Sequence, residues 1–87
     1  MDVRKLVARN LRRIRVRRGL SQEALAVDAS VDRTHVSRIE RGIENPTILV
    51  IARLAKALDA GIGELFLLPK PGEPAPKLLP KGRRPRR

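Results

Sequence analysis

The sequence predicts an all-α fold of five helices followed by a disordered basic tail, and three observations support this prediction. Apolar residues recur at intervals of three and four positions, as they do along one face of a helix. Residues that cap helix N-termini precede several of these runs, and glycines follow their ends. No segment shows the apolar–polar alternation of a half-buried strand. A single domain is therefore expected over residues 1–68, with the tail over residues 69–87.

The first helix is predicted over residues 2–18, and Gly19 ends it as a C′ glycine. Its last turn carries two arginines, which interact favourably with the helix dipole. The predicted inward-facing residues share a helical spacing and are Val3, Val7, Leu11 and Ile14.

Two further helix starts follow, and each combines an N-cap residue with a pair of apolar residues. Ser21 is the N-cap of a helix predicted over residues 22–29, and Asp32 is the N-cap of one predicted over residues 33–41. An apolar residue precedes each cap and packs against another at position N4. Such a pair is called a hydrophobic staple, and it fixes the angle at which the chain enters the helix. These staples are Leu20 with Leu25 and Val31 with Val36. Two short helices joined by a tight turn at Ser30 predict a helix-turn-helix unit.

The C-terminal part of the domain is predicted to contain two more helices. Pro46 and Thr47 begin a fourth helix over residues 48–58, and residues 62–67 form a short fifth helix. The predicted inward-facing residues of these helices are Ile48, Ile51, Leu54, Ala55, Leu58, Ile62, Leu65 and Phe66.

The composition excludes several functional classes. The 87 residues include no cysteine and one histidine, which argues against a metal site. Phe66 is the only aromatic residue, and single-stranded bases have almost nothing on which to stack. No apolar run reaches the length of a membrane span and no secretory signal begins the chain, which makes the cytoplasm the expected compartment. Catalytic motifs are absent, and we predict a non-enzyme without cofactor or small-molecule ligand.

The charge predicts a polyanionic partner. Twenty Lys and Arg against nine Asp and Glu give a net charge of +11. Residues 1–68 contribute +5 (13 basic, 8 acidic) and residues 69–87 contribute +6 (7 basic, 1 acidic). Nucleic acid is favoured over a membrane surface, and the alternative is that the charge only keeps the domain soluble. The tail is predicted to be disordered because its prolines and charges leave too little apolar surface to bury.

The third predicted helix carries the candidate binding residues. On a helical wheel Val36 and Ile39 face the core, whereas an arc of roughly 140° on the other side is polar. A helix of about 10 Å diameter fits the major groove of duplex DNA, where each base pair presents a distinct hydrogen-bonding pattern. The alternative is the solvated face that any surface helix has. The polar arc comprises Arg33, Thr34, Ser37, Arg38 and Arg41.

The segment from about Leu11 to Phe66 resembles the XRE-type helix-turn-helix domain of phage repressors and Cro. The matching strings are RRGLSQEALA, VDRTHVSRIERG, NPT and RLAKALDAGIGELF. The resemblance implies a compact repressor-like fold and a sequence-specific regulator of transcription that binds double-stranded DNA. It also implies a phosphate contact from Gln22 and an ion pair between Arg15 and Glu40. The base-contacting residues that it implies are Arg33, Thr34, Ser37 and Arg38.

The shorter string DRTHVSRIER is similar to controller proteins of restriction–modification systems, which are small dimeric domains of this type. Three residues depart from that pattern: His35 replaces a tyrosine, Ser30 replaces a turn glycine, and Glu44 replaces a basic loop residue. Phosphate contacts near the loop are therefore assigned to Arg41 and Asn45. His35 is expected to flank the site or face a phosphate, because it has no partner for metal binding or acid–base catalysis.

A homodimer on a palindromic operator is expected, because one recognition helix contacts only a few base pairs. The two helices of a dimer would lie about 34 Å apart, one turn of DNA. Domains of this family often pair near their last two helices. The candidate interface residues there are Leu49, Val50 and Leu67, and the alternative is incidental surface apolarity.

Two other functions remain open from the sequence. The chain would act as an antitoxin or accessory protein-interaction factor if its tail docked a protein partner that co-purified and bound more tightly than DNA. It would be an RNA-binding or non-specific nucleic-acid-binding protein if unrelated DNA and RNA competed equally for it.

Overall fold

The computed structural model describes residues 1–70 and residue 72, and this part of the chain contains helices and no strand. The all-α prediction is confirmed with one correction. The last element is a short 3₁₀ helix that ends at Phe66, where the sequence predicted a fifth α-helix to Leu67. Most of the predicted tail, residue 71 and residues 73–87, lies outside the described residues. The elements are α1 (Val3–Arg17), α2 (Gln22–Ala29), α3 (Arg33–Glu40), α4 (Ile48–Ala57) and the 3₁₀ helix (Ile62–Phe66).

Each α-helix begins at a side-chain cap. The oxygen of Ser21 accepts a hydrogen bond from a backbone N–H of α2, and Asp32 does the same for α3, both at 3.0 Å. Thr47 caps α4 in the same way. Asp2 is the cap of α1 and not its first residue, and hydrogen bonds from the Arg4 side chain and backbone hold the pKa of Asp2 below its ordinary value.

The helix ends depend on residues with a left-handed backbone. Gly19 and Gly42 follow α1 and α3 with φ of 73° and 74°, as their positions predict. Ser30 ends α2 at φ 57°, and Asp59 follows α4 at φ 55°, although both carry a Cβ that disfavours this region. Helices α1, α3 and α4 end one residue earlier than predicted, because the last predicted residue is in each case the C-cap.

The core combines apolar residues from all five elements. Four predicted core residues are wrong, and the first two are Val3, which is 54% exposed, and Ile48, which is 76% exposed. Both are the first residue of their helix, and helical spacing gives a side chain's direction without showing whether a neighbouring helix reaches that far. The other two are Ile62, which is 43% exposed, and Phe66, which is 40% exposed. They lie at the two ends of the 3₁₀ helix, whereas Leu65 between them is fully buried. The other predicted residues are buried: Val7, Leu11, Ile14, Leu25, Val36, Ile39, Ile51, Leu54, Ala55, Leu58 and Leu65.

The packing places α3 at one side of the molecule, against α1 and α2, while the 3₁₀ helix closes the other side against α1 and α4. Fully buried Asn10 joins α1 to the 3₁₀ helix by donating to the carbonyl oxygens of Leu65 (3.0 Å) and Leu67 (2.9 Å). Among the described helices none is long and apolar enough to cross a membrane.

Candidate nucleic-acid interface

A buried ion pair holds α3 against α1. Arg15 is 5% exposed and Glu40 is 2% exposed, and two nitrogens of the guanidinium donate to the two carboxylate oxygens. The Nη2–Oε1 distance is 2.9 Å. Arg15 also donates through Nη1 to the carbonyl oxygen of Leu20, at 2.8 Å. Because a charge buried this deeply is costly without its partner, the pair fixes the position of the end of α3.

Two more side chains bind to Glu40. Gln22, the first residue of α2, donates through Nε2 to Glu40 Oε1 at 3.1 Å. Arg12 donates to the backbone carbonyl oxygen of Glu40 at 2.7 Å. The phosphate contact of Gln22 stays a prediction. The bond to Glu40 is compatible with it, because the amide nitrogen of Gln22 carries a second hydrogen. The bonds of Gln22 and Arg12 to Glu40 were not predicted, because nothing local in the sequence relates either residue to position 40.

The outward face of α3 contains the predicted base-contacting residues. Arg33 begins the helix directly after the Asp32 cap. Arg33, Thr34 and Arg38 are exposed and Ser37 is half-buried, whereas Val36 and Ile39 beneath them are buried. The structure therefore brings the four predicted side chains onto one solvent-facing surface. Exposed Arg41 is the C-cap of the same helix, and Asn45 is exposed in the following loop.

One edge of this face is organised by Glu44, from the loop after α3. Arg38 Nε donates to Glu44 Oε1 at 3.0 Å, and His35 Nε2 lies 3.9 Å from Glu44 Oε2. The contact uses only Nε of the Arg38 guanidinium, and about half of this side chain is exposed to solvent. From the sequence, Glu44 was identified only as an unusual acidic residue in the loop. Its pairing with Arg38 was missed, because it depends on the path of the loop.

The described residues contain no group of three or more His, Cys, Asp or Glu side chains that would hold a metal ion. The site is thus a polar and basic helix face, supported from behind by a buried ion pair and bounded on one edge by a carboxylate. Hydrogen-bond donors dominate it, and its natural ligands are the acceptors of an anionic partner.

Comparison with known proteins assigns the fold to a family. The helix-turn-helix family model HTH_3 matches residues 11–65. The chain belongs to this family. The predicted resemblance to XRE-type domains and to restriction–modification controller proteins is confirmed, since both appear among its relatives. Its homologues are helix-turn-helix regulators of transcription, and the chain is a DNA-binding regulator of that type.

Three relatives illustrate the match. An uncharacterised HTH-type transcriptional regulator of Sinorhizobium fredii is 40% identical over 65 residues, which covers 75% of this chain and 84% of the relative. Control protein C.SmaI of Serratia marcescens is 37% identical over 66 residues, covering 76% and 79% of the two chains. The crystal structure of the restriction-modification controller protein C.AhdI of Aeromonas hydrophila superposes with a TM-score of 0.71 at 41% identity, covering 72% of this chain and 96% of that one.

Proposed function

We propose that this protein regulates transcription as a homodimer that inserts α3 into the major groove of duplex DNA. The observation that carries the proposal is the exposed polar face of α3, held in place by the buried pair of Arg15 and Glu40. A helix fixed from behind presents its side chains in one orientation, which direct contact with base edges requires.

The chemistry of each side chain suggests its role. Arg33 lies at the N-terminus of α3, where recognition helices contact base edges, and its guanidinium fits guanine O6 and N7. Thr34 offers a hydroxyl for a base edge and a methyl for thymine, and Ser37 offers a second hydroxyl. Arg38 would approach a base with its terminal nitrogens while Glu44 holds Nε.

The contacts around this centre are assigned to phosphates. Gln22 lies at the N-terminus of α2, where backbone N–H groups and the helix dipole favour an anion. Arg41 and Asn45 are exposed beyond the end of α3, and half-buried His35 lies on the Glu44 edge. These four residues would position the helix, whereas the α3 face would select the sequence.

The dimer is proposed from exposed apolar residues near the end of the domain. Leu49 on α4 is 72% exposed, and Leu67 after the 3₁₀ helix is 52% exposed. Val50, also on α4, is half-buried and packs against the core. Burying such residues against a second copy removes apolar surface from water. Two copies would then present two α3 helices to successive major grooves.

Selection of bound duplexes from a random DNA pool, followed by a footprint, tests the function. The expected result is a palindrome whose half-sites are centred about 10 base pairs apart. Recovery of unrelated sequences, or equal competition by duplex RNA, would contradict sequence-specific recognition of DNA.

Sedimentation of Leu49→Glu tests the dimer. We expect this variant to be monomeric at concentrations where the wild type is dimeric, because a charge cannot be buried at the interface without a partner. Val27→Glu is the matched control, since Val27 on α2 is 71% exposed and lies on another element. A wild type that sediments as a monomer, or equal effects of both variants, would contradict the assignment.

A further inference from the structure

The positive charge of the domain is concentrated away from the helix-turn-helix unit. Residues 1–18 hold 8 basic and 1 acidic residue, a net charge of +7. Residues 19–68 hold 5 basic and 7 acidic residues, a net charge of −2. Although α3 presents its own arginines, the segment that contains α2, α3 and α4 carries no excess of positive charge. The excess positive charge of the domain lies on α1 and the residues at its two ends.

The basic residues of α1 lie on one face. Lys5, Arg9, Arg13 and Arg17 follow one another at intervals of four residues, and Arg12 lies beside this row on the helical wheel. No acidic residue occurs between Val3 and Arg17. Like charges four residues apart destabilise a helix, and no carboxylate within α1 offsets them. Helix stability therefore does not explain this face, which we call the α1 basic face.

The α1 basic face adjoins the recognition helix. On one flank Arg12 donates to the Glu40 carbonyl oxygen, at the last residue of α3. Lys5 packs against the turn after α3, where its Cγ would lie 3.2 Å from a Cβ added at Gly42. On the other flank Arg13 donates to Asn10, which holds the 3₁₀ helix. The face thus begins beside the end of α3 and continues around the molecule toward the 3₁₀ helix.

We propose that the α1 basic face binds the phosphates of duplex DNA that flanks the bases contacted by α3. This inference rests on the proposed function, since it requires α3 to be seated in a major groove. The row from Lys5 to Arg17 spans about 18 Å, because a helix rises about 1.5 Å per residue. That length matches about five phosphates along one strand, which are about 3.4 Å apart along the DNA axis.

Duplex DNA fits this face better than a membrane or RNA does. The apolar side chains within the face, Leu6 and Val16, are half-buried, and no aromatic residue lies on α1 to anchor a bilayer. Continuity with α3 places the face beside DNA that the protein already holds.

The test compares two operator duplexes, one that ends at the α3 footprint and one extended by 15 base pairs on each side. The variant Lys5→Gln with Arg17→Gln removes both ends of the row, and both residues are exposed. Arg53→Gln with Lys56→Gln is the matched control, because it removes the same charge from exposed positions on α4. Affinity is measured for both duplexes across a range of salt concentrations.

We expect the wild type to bind the extended duplex more tightly than the short one. The α1 variant should lose this advantage, and its salt slope on the extended duplex should fall by up to about 3.6, or about 0.9 for each of four phosphate contacts in a dimer. The control should keep the advantage. The selected sequence should be the same for all three proteins, because phosphate contacts carry no sequence information.

Three outcomes would overturn the inference: no dependence on duplex length in the wild type, equal loss in the α1 variant and the control, or equal loss on both duplexes. Competition by duplex RNA or by phosphatidylserine vesicles that is stronger than competition by flanking DNA would reassign the face to that partner. Failure of the proposed function is distinguishable, since the wild type would then select no sequence from a random pool. Thermal melts of the variants confirm that each is folded.

Discussion

Helices α1 and α3 are both amphipathic with basic outward faces, yet they hold their charges differently. Helix α1 has seven basic residues and no acidic one. On α3, acidic side chains hold the basic helix in place: Asp32 caps it, Glu44 holds Arg38, and Glu40 pairs with Arg15. Positive charge attracts any phosphate backbone, whereas donors held in fixed positions distinguish base pairs. We therefore propose that the two helices divide affinity and specificity between them.

The largest expected effect comes from breaking the link between these helices. Glu40→Ala would leave the buried Arg15 guanidinium without its carboxylate, and Gln22 would lose its acceptor. We expect the free energy of unfolding to fall by about 3–5 kcal/mol, as measured by denaturant titration. Glu23→Ala, at an exposed position of α2, is the control and should change little. A Glu40 variant as stable as the control would show that the pair contributes nothing to the fold.

The second effect separates specificity from affinity. Arg33→Ala should weaken binding to the selected operator by about 1–3 kcal/mol and relax the preference at one base position. Competition binding against single-base-pair operator variants measures both quantities. Arg53→Ala on α4 is the control, since it removes an exposed arginine from another element. Equal loss on operator and random DNA would mean that Arg33 contacts only phosphate, as the α1 residues are proposed to do.

A smaller effect on base-pair discrimination is expected from Glu44, which positions Arg38. Glu44→Ala should release Arg38 and reduce discrimination at its base pair by about 0.2–1 kcal/mol, the usual range for an exposed ion pair. Affinity for random DNA should rise, because a negative charge beside the backbone is removed. Glu44→Gln keeps an acceptor for Arg38 Nε and should retain more discrimination than Glu44→Ala. Similar discrimination in both variants and the wild type would show that Glu44 does not position Arg38.

Local features of the fold were predictable from the sequence, and long-range ones were not. The caps at Ser21 and Asp32 depend on residues within one helical turn, and these helix starts were predicted correctly. The bonds of Asn10 to residues 55 and 57 positions away have no local signal. The same holds for Glu44 and Arg38, whose contact requires the loop to fold back on α3. The site was thus predictable as a helix face, but its supporting contacts required the three-dimensional structure.

An effect of similar size concerns the turn that orients α3 relative to α2. Ser30 adopts φ 57° and ψ 44°, a left-handed conformation that costs residues with a Cβ about 1–2 kcal/mol. Glycine avoids this cost but loses more chain entropy on folding, about 0.5–1 kcal/mol. We therefore expect Ser30→Gly to raise stability by about 0.5–1 kcal/mol, seen as a rise of a few degrees in Tm.

Ser30→Ala is the control for this substitution, because it removes the hydroxyl but keeps the Cβ, and it should bring no gain in stability. DNA sequence preference should be the same for Ser30→Gly as for the wild type, since the left-handed turn is retained and the pair of Arg15 and Glu40 still fixes the end of α3. A lower Tm for Ser30→Gly would show that the serine hydroxyl stabilises the turn by more than its backbone strain costs. A changed sequence preference would show instead that the stiffness of the turn contributes to specificity, which we assign to the donors of α3 alone.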